Sequence, residues 1–407
     1  MIIKSLEYIN YRGLKTGSID FDSRLTVVVG KNGSGKSSVL QAVATAVSWI
    51  VARIRSEKGT GQYVEDLSVS NGHQNAQIVA EFDEFGKISI PNRTKAGLPK
   101  RYSIDLNGLR EYANGIREKL EETDFKSSVP VFAFYGVKRA VIDIPLRIRN
   151  TDEHMLETYK DCLNGAAKFR DFFMWFRNQE DLENECRLDQ DGGGDYSSRE
   201  LGAFRRAMQI FLPTYTNVRV RRKPLRMTVR KDGEELNIAQ LSDGEKIYIA
   251  LIGDLCRRLV LANPTLEDPL GGKGIVMIDE VDLHLHPKWQ AEVAERLTRV
   301  FPNLQFIITT HSPQVINRVA TDRLRMLENG EVLKSDYGYG MPVSIVLKDI
   351  MGIDSEQPKE VADLVQSIYL AVMNKNVADA RVLINQLENV VPHHPELPRL
   401  RRIVERL

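Results

Sequence analysis

Apolar and polar positions alternate at the start of the chain. Ile3, Leu6, Tyr8 and Tyr11 interleave with Lys4, Glu7 and Arg12, predicting a first strand that ends at Gly13. Leu25–Val29 is apolar except for Thr26, the pattern of a strand buried on both faces, and it runs straight into Gly30. From Ser37 the period changes. Val39, Leu40, Val43, Ala46, Val47 and Ile50 fall three and four residues apart, predicting a helix. Gln77–Phe82 and Lys87–Ile90, with glycine and proline nearby, read as hairpin strands, and Val129–Tyr135 as another apolar strand. Residues 150–212 read mostly as helix, carry an aromatic run from Phe169 to Phe176, and break at Asp191–Asp195. Val218–Val220, Met227–Val229, Gly274–Ile278 and Leu304–Thr309 are strand-like, with a helix over Lys288–Val300. In the tail, Val361, Leu364, Val365, Ile368, Tyr369 and Val372 make one apolar helical face, and further helices follow over Val377–Val390 and Leu397–Leu407.

This alternation predicts an α/β fold, a mixed sheet under helical cover. It divides into an N-terminal lobe (1–150), a helical insertion or lid (151–212), a C-terminal lobe (213–350) and a helical tail (351–407). Val129–Tyr135 is followed by Gly136-Val137-Lys138-Arg139.

Composition changes this picture little. The 407 residues are 42% hydrophobic and 27% charged, which excludes a disordered or fibrous chain. Lys and Arg number 56 against 55 Asp and Glu, so total charge points to no polyanionic partner. The distribution is less even. Glu180–Glu200 holds eight acids and two arginines, whereas Arg205–Lys231 holds nine Lys/Arg and no acid. The basic segment suits DNA or another phosphate backbone, and equally a solvated strand or a contact between copies. The aromatic run reads as packed core in preference to a base-stacking platform. Cys162, Cys186 and Cys256 form no CxxC pair, which suits reduced thiols in the cytoplasm. The most apolar stretch, Ala42–Ala52, is about half of what a membrane span needs. No signal-peptide core opens the chain, and the reading is a cytoplasmic protein without membrane attachment.

The chemistry lies in four places. Gly30-Lys31-Asn32-Gly33-Ser34-Gly35-Lys36-Ser37 matches GxxxxGK[ST] between a buried strand and a helix, the setting in which backbone amides wrap phosphates. Lys36 would reach the β and γ phosphates of ATP, and the Ser37 hydroxyl would hold Mg²⁺, with Gly30, Asn32, Gly33, Ser34, Gly35 and Ser38 lining the loop. The strand Ile275–Ile278 ends in Asp279-Glu280, suited to Mg²⁺ through Asp279 and to polarising an attacking water through Glu280. Ser242-Asp243-Gly244-Glu245 opens a helix as a capping box, which is either merely a good cap or a set of amides, with Ser242 and Gly244, facing a phosphate. His311 follows a strand, as a satisfied polar residue or as a γ-phosphate sensor. His284-x-His286 lacks an evident third ligand for a metal.

In this order the four elements resemble an ABC-type ATPase head, with LSDGEK in place of the usual LSGGQ. The resemblance implies two heads sandwiching two nucleotides, with Ser242, Gly244 and Glu245 completing the partner's site. The opening INYRGL and the DEVDLHLHP loop are similar to the RecF, SMC and OLD group, in which the arginine here numbered Arg12 approaches nucleotide. Phe132–Arg139, Ile144–Arg149, the Phe169–Phe176 run, Asn217–Arg226 and the tail resemble the Septu and retron group of anti-phage defence ATPases, typified by PtuA. That likeness implies a homo-oligomer that holds and restrains a separate HNH-type nuclease under nucleotide control. A glutamine usual after the strand of the first lobe is missing, leaving Lys138 and Arg139 as candidates for its contact. The alternative is a RecF- or SMC-like DNA-repair ATPase without a long coiled coil. A transporter ATPase is disfavoured by the opening and by the LHP loop.

Overall fold

The computed structural model describes residues 1–92, 103–140, 154–189, 196–335, 338–350 and 357–406, except the side chains of 138–140 and 349–350. These form two compact units, Met1–Met341 and Pro342–Leu407. The first unit begins β1 (Ile3–Ile9), β2 (Gly17–Asp20), β3 (Leu25–Gly30), α1 (Lys36–Arg55), β4 (Gln77–Phe82), β5 (Gly86–Pro91), α2 (Asn107–Glu122) and β6 (Val131–Ala140). It continues β7 (Gly165–Ala167), α3 (Phe169–Asp189), α4 (Arg199–Phe211), β8 (Tyr215–Arg222), β9 (Leu225–Lys231), β10 (Glu234–Asn237) and α5 (Asp243–Ala262). It closes with β11 (Gly274–Ile278), α6 (Pro287–Val300), β12 (Leu304–Thr309), α7 (Pro313–Ile316), β13 (Leu324–Glu328) and β14 (Glu331–Lys334).

A seven-stranded sheet in the order β14-β13-β3-β12-β11-β6-β7 forms the centre, parallel except for β14. Every residue of β3, β11 and β12 is buried, as befits parallel strands covered on both faces. By length and composition alone α1 could cross a membrane, but most of it is buried against β3, β6, β11 and β12. Its apolarity therefore belongs to the core. A four-stranded antiparallel sheet, β2-β1-β4-β5, and a three-stranded one, β10-β9-β8, flank the centre. The second unit holds α8 (Val343–Ile345), α9 (Lys359–Met373), α10 (Val377–Val390) and α11 (Leu397–Glu405). Val361 and Ile368 of α9 pack with Ile384, Leu387, Leu397 and Leu400 in a core of its own.

Several expectations shift. The first strand stops at Ile9 instead of Gly13, because Asn10 and Arg12 adopt left-handed φ angles of 51° and 53°. Strand β6 runs on through Gly136–Arg139, so those residues belong to the strand and do not follow it. Residues 165–167, read as helical, add β7 to the sheet edge. The aromatic run is core: Phe169, Phe172, Phe173, Trp175 and Phe176 are buried, and Phe172 meets Phe204 of α4 at 5.0 Å between ring centroids. The break Asp191–Asp195 and the stretch Ile144–Arg149 lie outside the described residues.

Candidate nucleotide site

The loop between β3 and α1 is shaped for an anion. Gly30, Gly33 and Gly35 take φ angles of 149°, 77° and 107°, a path closed to most side chains. A Cβ on Gly30 would lie 2.3 Å from the carbonyl of Leu327. Helix α1 has Gly35 as N-cap, with no capping side chain and no acid in its first turn. Its leading amides and the positive end of its dipole are thus left for a ligand. The Ser34 hydroxyl is buried without a hydrogen-bond partner among the described residues. Lys36 is buried and its Nζ donates to the carbonyls of Gly30 (2.9 Å) and Lys31 (3.0 Å). Burial lowers its pKa, against the pull of Asp279, Glu280 and Asp282. Ser37 and Asn32 are exposed at the loop surface, and Ser38 is half-buried. This donor set fits a polyphosphate, and the neighbouring carboxylates fit its metal.

Those carboxylates sit at the C-terminal end of β11. Asp279 donates its N–H to the carbonyl of Tyr135 at 2.7 Å, and its Oδ1 accepts from the Thr309 hydroxyl at 2.6 Å. The same hydroxyl accepts the N–H of Glu280 at 2.7 Å. Glu280 sits at a left-handed φ of 48°. One threonine on β12 therefore holds the carboxylate of Asp279 and the backbone of Glu280. Asp282 then reaches the loop after β12: its Oδ1 accepts from the Thr310 hydroxyl and from the N–H of His311, the latter at 3.3 Å. Gln290 of α6 ties the two loops, donating to the carbonyls of Asp282 and Leu285 and accepting from the Ser312 hydroxyl at 2.8 Å. Burial first, then the charge of Lys36, lowers the His311 pKa, against Glu280, Asp282 and Asp279. Lys36, Asp279, Glu280, Asp282 and His311 are thus one electrostatic cluster.

The helix α5 begins against the loop that follows Asp279 and Glu280. Ser242 is its exposed N-cap, and a full capping box links it to Glu245. A Cβ on Gly244 would lie 2.2 Å from the carbonyl of His284, so only glycine lets the turn rest on the loop after β11. The Glu245 carboxylate is turned inward. Its Oε2 accepts the Ser242 N–H at 2.8 Å, and its Oε1 accepts from Lys231 Nζ at 2.8 Å and from the Tyr215 hydroxyl. Burial would raise its pKa, but those donors hold it at about 2. Glu245 thus serves the turn's own geometry.

Other expected residues are placed differently. Arg12 donates from Nε to the Ser68 hydroxyl at 3.1 Å and lies over the Tyr11 ring. Leu14, two residues on, is the group that meets the phosphate loop: a Cβ on Gly35 would lie 2.5 Å from its Cδ2. His286 caps α6, accepting the Lys288 N–H at 3.3 Å. The side chains of Lys138 and Arg139 lie outside the described residues. The basic segment is not a free edge. Arg205 pairs with Glu183, Arg206 with Asp268, Arg221 with Glu235, Arg222 with Glu180 and Asp181, and Lys231 with Glu245. The acidic run thus meets Arg205 and Arg222 inside one chain, while Arg219, Lys223 and Arg230 stay exposed.

Sequence reasoning overlooked Thr309, Asp282, Gln290, Tyr215 and Lys231 as parts of the site. A threonine at the end of the strand beside the two acids was the one local signal for Thr309.

A glycine loop on a buried parallel strand, with two carboxylates ending a nearby strand, defines a P-loop ATPase of mixed α/β architecture. The family model described as "AAA domain, putative AbiEii toxin, Type IV TA system" matches residues 25–317, and the chain belongs to that family. A model of an AAA ATPase domain matches residues 1–47. The chain is 31% identical to the retron Ec83 probable ATPase of Escherichia coli, over 92% of this chain and 81% of that protein. It is 23% identical to the Septu protein PtuA of Bacillus thuringiensis, over 87% of this chain and 85% of that one. Among solved structures it is similar to the SMC head domain from Thermotoga maritima, with a TM-score of 0.43, 17% identity, and coverage of 83% of this chain and 100% of that one.

Proposed function

We propose that the chain binds and hydrolyses ATP in the Gly30–Ser38 loop, that two copies pair head to head over nucleotide, and that this cycle holds and regulates a separate HNH-type nuclease in anti-phage defence. The observation that carries the catalytic part is the convergence of Lys36, Asp279, Glu280, Asp282 and His311 at one end of the parallel sheet. Loop amides and Lys36 bind the β and γ phosphates. Ser37 and Asp279 would hold Mg²⁺, which neutralises phosphate charge when bound. Glu280 orients water and takes its proton, and His311, on a loop fixed by Asp282, contacts the γ phosphate. The exposed Ser242 and the amides of its turn meet the nucleotide of the second copy. The retron and Septu names of the relatives support the defence setting.

Glu280→Gln keeps the shape but loses the base. It is expected to retain ATP affinity while turnover falls by about 10²- to 10⁴-fold, measured by phosphate release and nucleotide binding. Wild-type turnover would refute the assignment. Lys36→Ala is expected to weaken nucleotide binding itself. Native mass measurement of the chain co-expressed with its genomic neighbours tests pairing and the nuclease together.

A further inference from the structure

The three-stranded sheet β8–β10 has no part in the reading above, yet it reaches the start of α5. Tyr215 and Lys231 are cross-strand partners at one end of the β8–β9 hairpin. Their side chains lie together, with Lys231 Nζ 5.0 Å from the centre of the Tyr215 ring. Both donate to the same oxygen of Glu245, and the other oxygen holds the Ser242 backbone.

We infer that Lys231 and Tyr215 are positioning residues for the ATPase reaction: they clamp Glu245 so that the Ser242–Gly244 turn is presented in one fixed geometry to the nucleotide of a second copy. A carboxylate in a capping box needs only backbone donors. Here it is buried and receives a cation and a phenol as well, all brought from a separate sheet. Side-chain entropy argues that such a contact is not incidental, since a lysine gives up much rotamer freedom to be held in place. The turn has little other freedom. Gly244 already rests on the carbonyl of His284, in the loop that follows Asp279 and Glu280. The clamp sets one side of the turn, and the His284 contact sets the other. The charge of Lys231 matters because an ionised donor makes the shorter and stronger bond to a carboxylate. The inference deepens the reading of the α5 turn as acting on a partner's nucleotide, and it rests on that reading.

The test uses the full chain. Lys231→Met, Lys231→Arg and Tyr215→Phe are compared with wild type for affinity toward a fluorescent ATP analogue, for turnover against protein concentration, and for ATP-dependent pairing in the Glu280→Gln background. Loss of a charge-assisted bond predicts that Lys231→Met lowers the maximal turnover by about 10- to 100-fold. Analogue affinity of the single chain stays within about twofold, since Lys231 contacts no loop residue that binds phosphate. Lys231→Arg restores most of the turnover, and Tyr215→Phe shows a smaller loss of the same kind. Combining Lys231→Met with Glu245→Gln adds little further loss, because both act through one contact. A folded Lys231→Met with wild-type turnover and pairing overturns the inference. So does an equal loss of turnover and analogue affinity in all three variants. If Lys231→Met does not fold, Tyr215→Phe and Lys231→Arg decide alone, and wild-type turnover in Tyr215→Phe counts against the clamp. Wild-type turnover that is independent of protein concentration sinks the reading of action in trans. In that case a selective turnover loss in Lys231→Met would place the clamp's effect within one chain, and no loss would sink the clamp too.

Discussion

Single side chains set the geometry of the site. Thr309 holds Asp279 by its hydroxyl hydrogen and Glu280 by its oxygen, so a valine there removes both bonds at once. Thr309→Val is expected to lower turnover more than nucleotide affinity, as phosphate-release and binding assays would register. Gly244→Ala puts a methyl 2.2 Å from a backbone carbonyl, so the backbone must give. A loss of about 1–3 kcal/mol in denaturant unfolding is expected. Glu245 carries a pH dependence. Its folded pKa of about 2 lies below the ordinary value of 4.5, so its stabilising effect is present above the ordinary value and fades as pH falls from there toward 2. Acid unfolding of Glu245→Gln should therefore be less steep in that window, measured by circular dichroism. The phosphate loop and Asp279-Glu280 were legible because each is a contiguous run. Thr309 acts across 30 positions and Lys231 across 14, and no local pattern marks such a pairing.

Elements were legible where their periods were strong. Gln77–Phe82, Gly274–Ile278 and Leu304–Thr309 appear with the boundaries their apolar runs suggest. Strand β7 was not legible, because Gly165-Ala166-Ala167 has neither alternation nor β-branched residues and is set by pairing with β6. Nor could the sequence reveal that the acidic α3 lies against the basic α4 and β8, where Glu183 meets Arg205 and Glu180 meets Arg222. The middle of α5 is fastened to the sheet by a buried cluster. Asp254 Oδ2 accepts from the Tyr135 hydroxyl and from Arg258 Nε, each at 2.8 Å, with both charged side chains at most 1% exposed. Removing one partner strands a buried charge. Asp254→Ala is expected to cost about 3–5 kcal/mol in denaturant unfolding, and Tyr135→Phe about 1 kcal/mol.

At the scale of the molecule, two units each enclose their own core. A chain ending at Met341 is accordingly expected to keep its nucleotide affinity, which titration of a fluorescent nucleotide would measure. The order of strands in the central sheet has another consequence. Strand β3, which carries the phosphate loop, is flanked by β12 and β13, and these begin at Leu304 and Leu324. A ribosome must therefore add about 270 residues after the loop before β3 gains its first neighbour in that sheet. Throughout that interval α1 lacks β12, although β4, α2 and β6, which also pack on it, are made within it. Translation halted before Leu304 yields a product with the glycine loop in its sequence but without the strands that flank β3. The order of synthesis thus withholds ATP hydrolysis until β12 and β13 have been made.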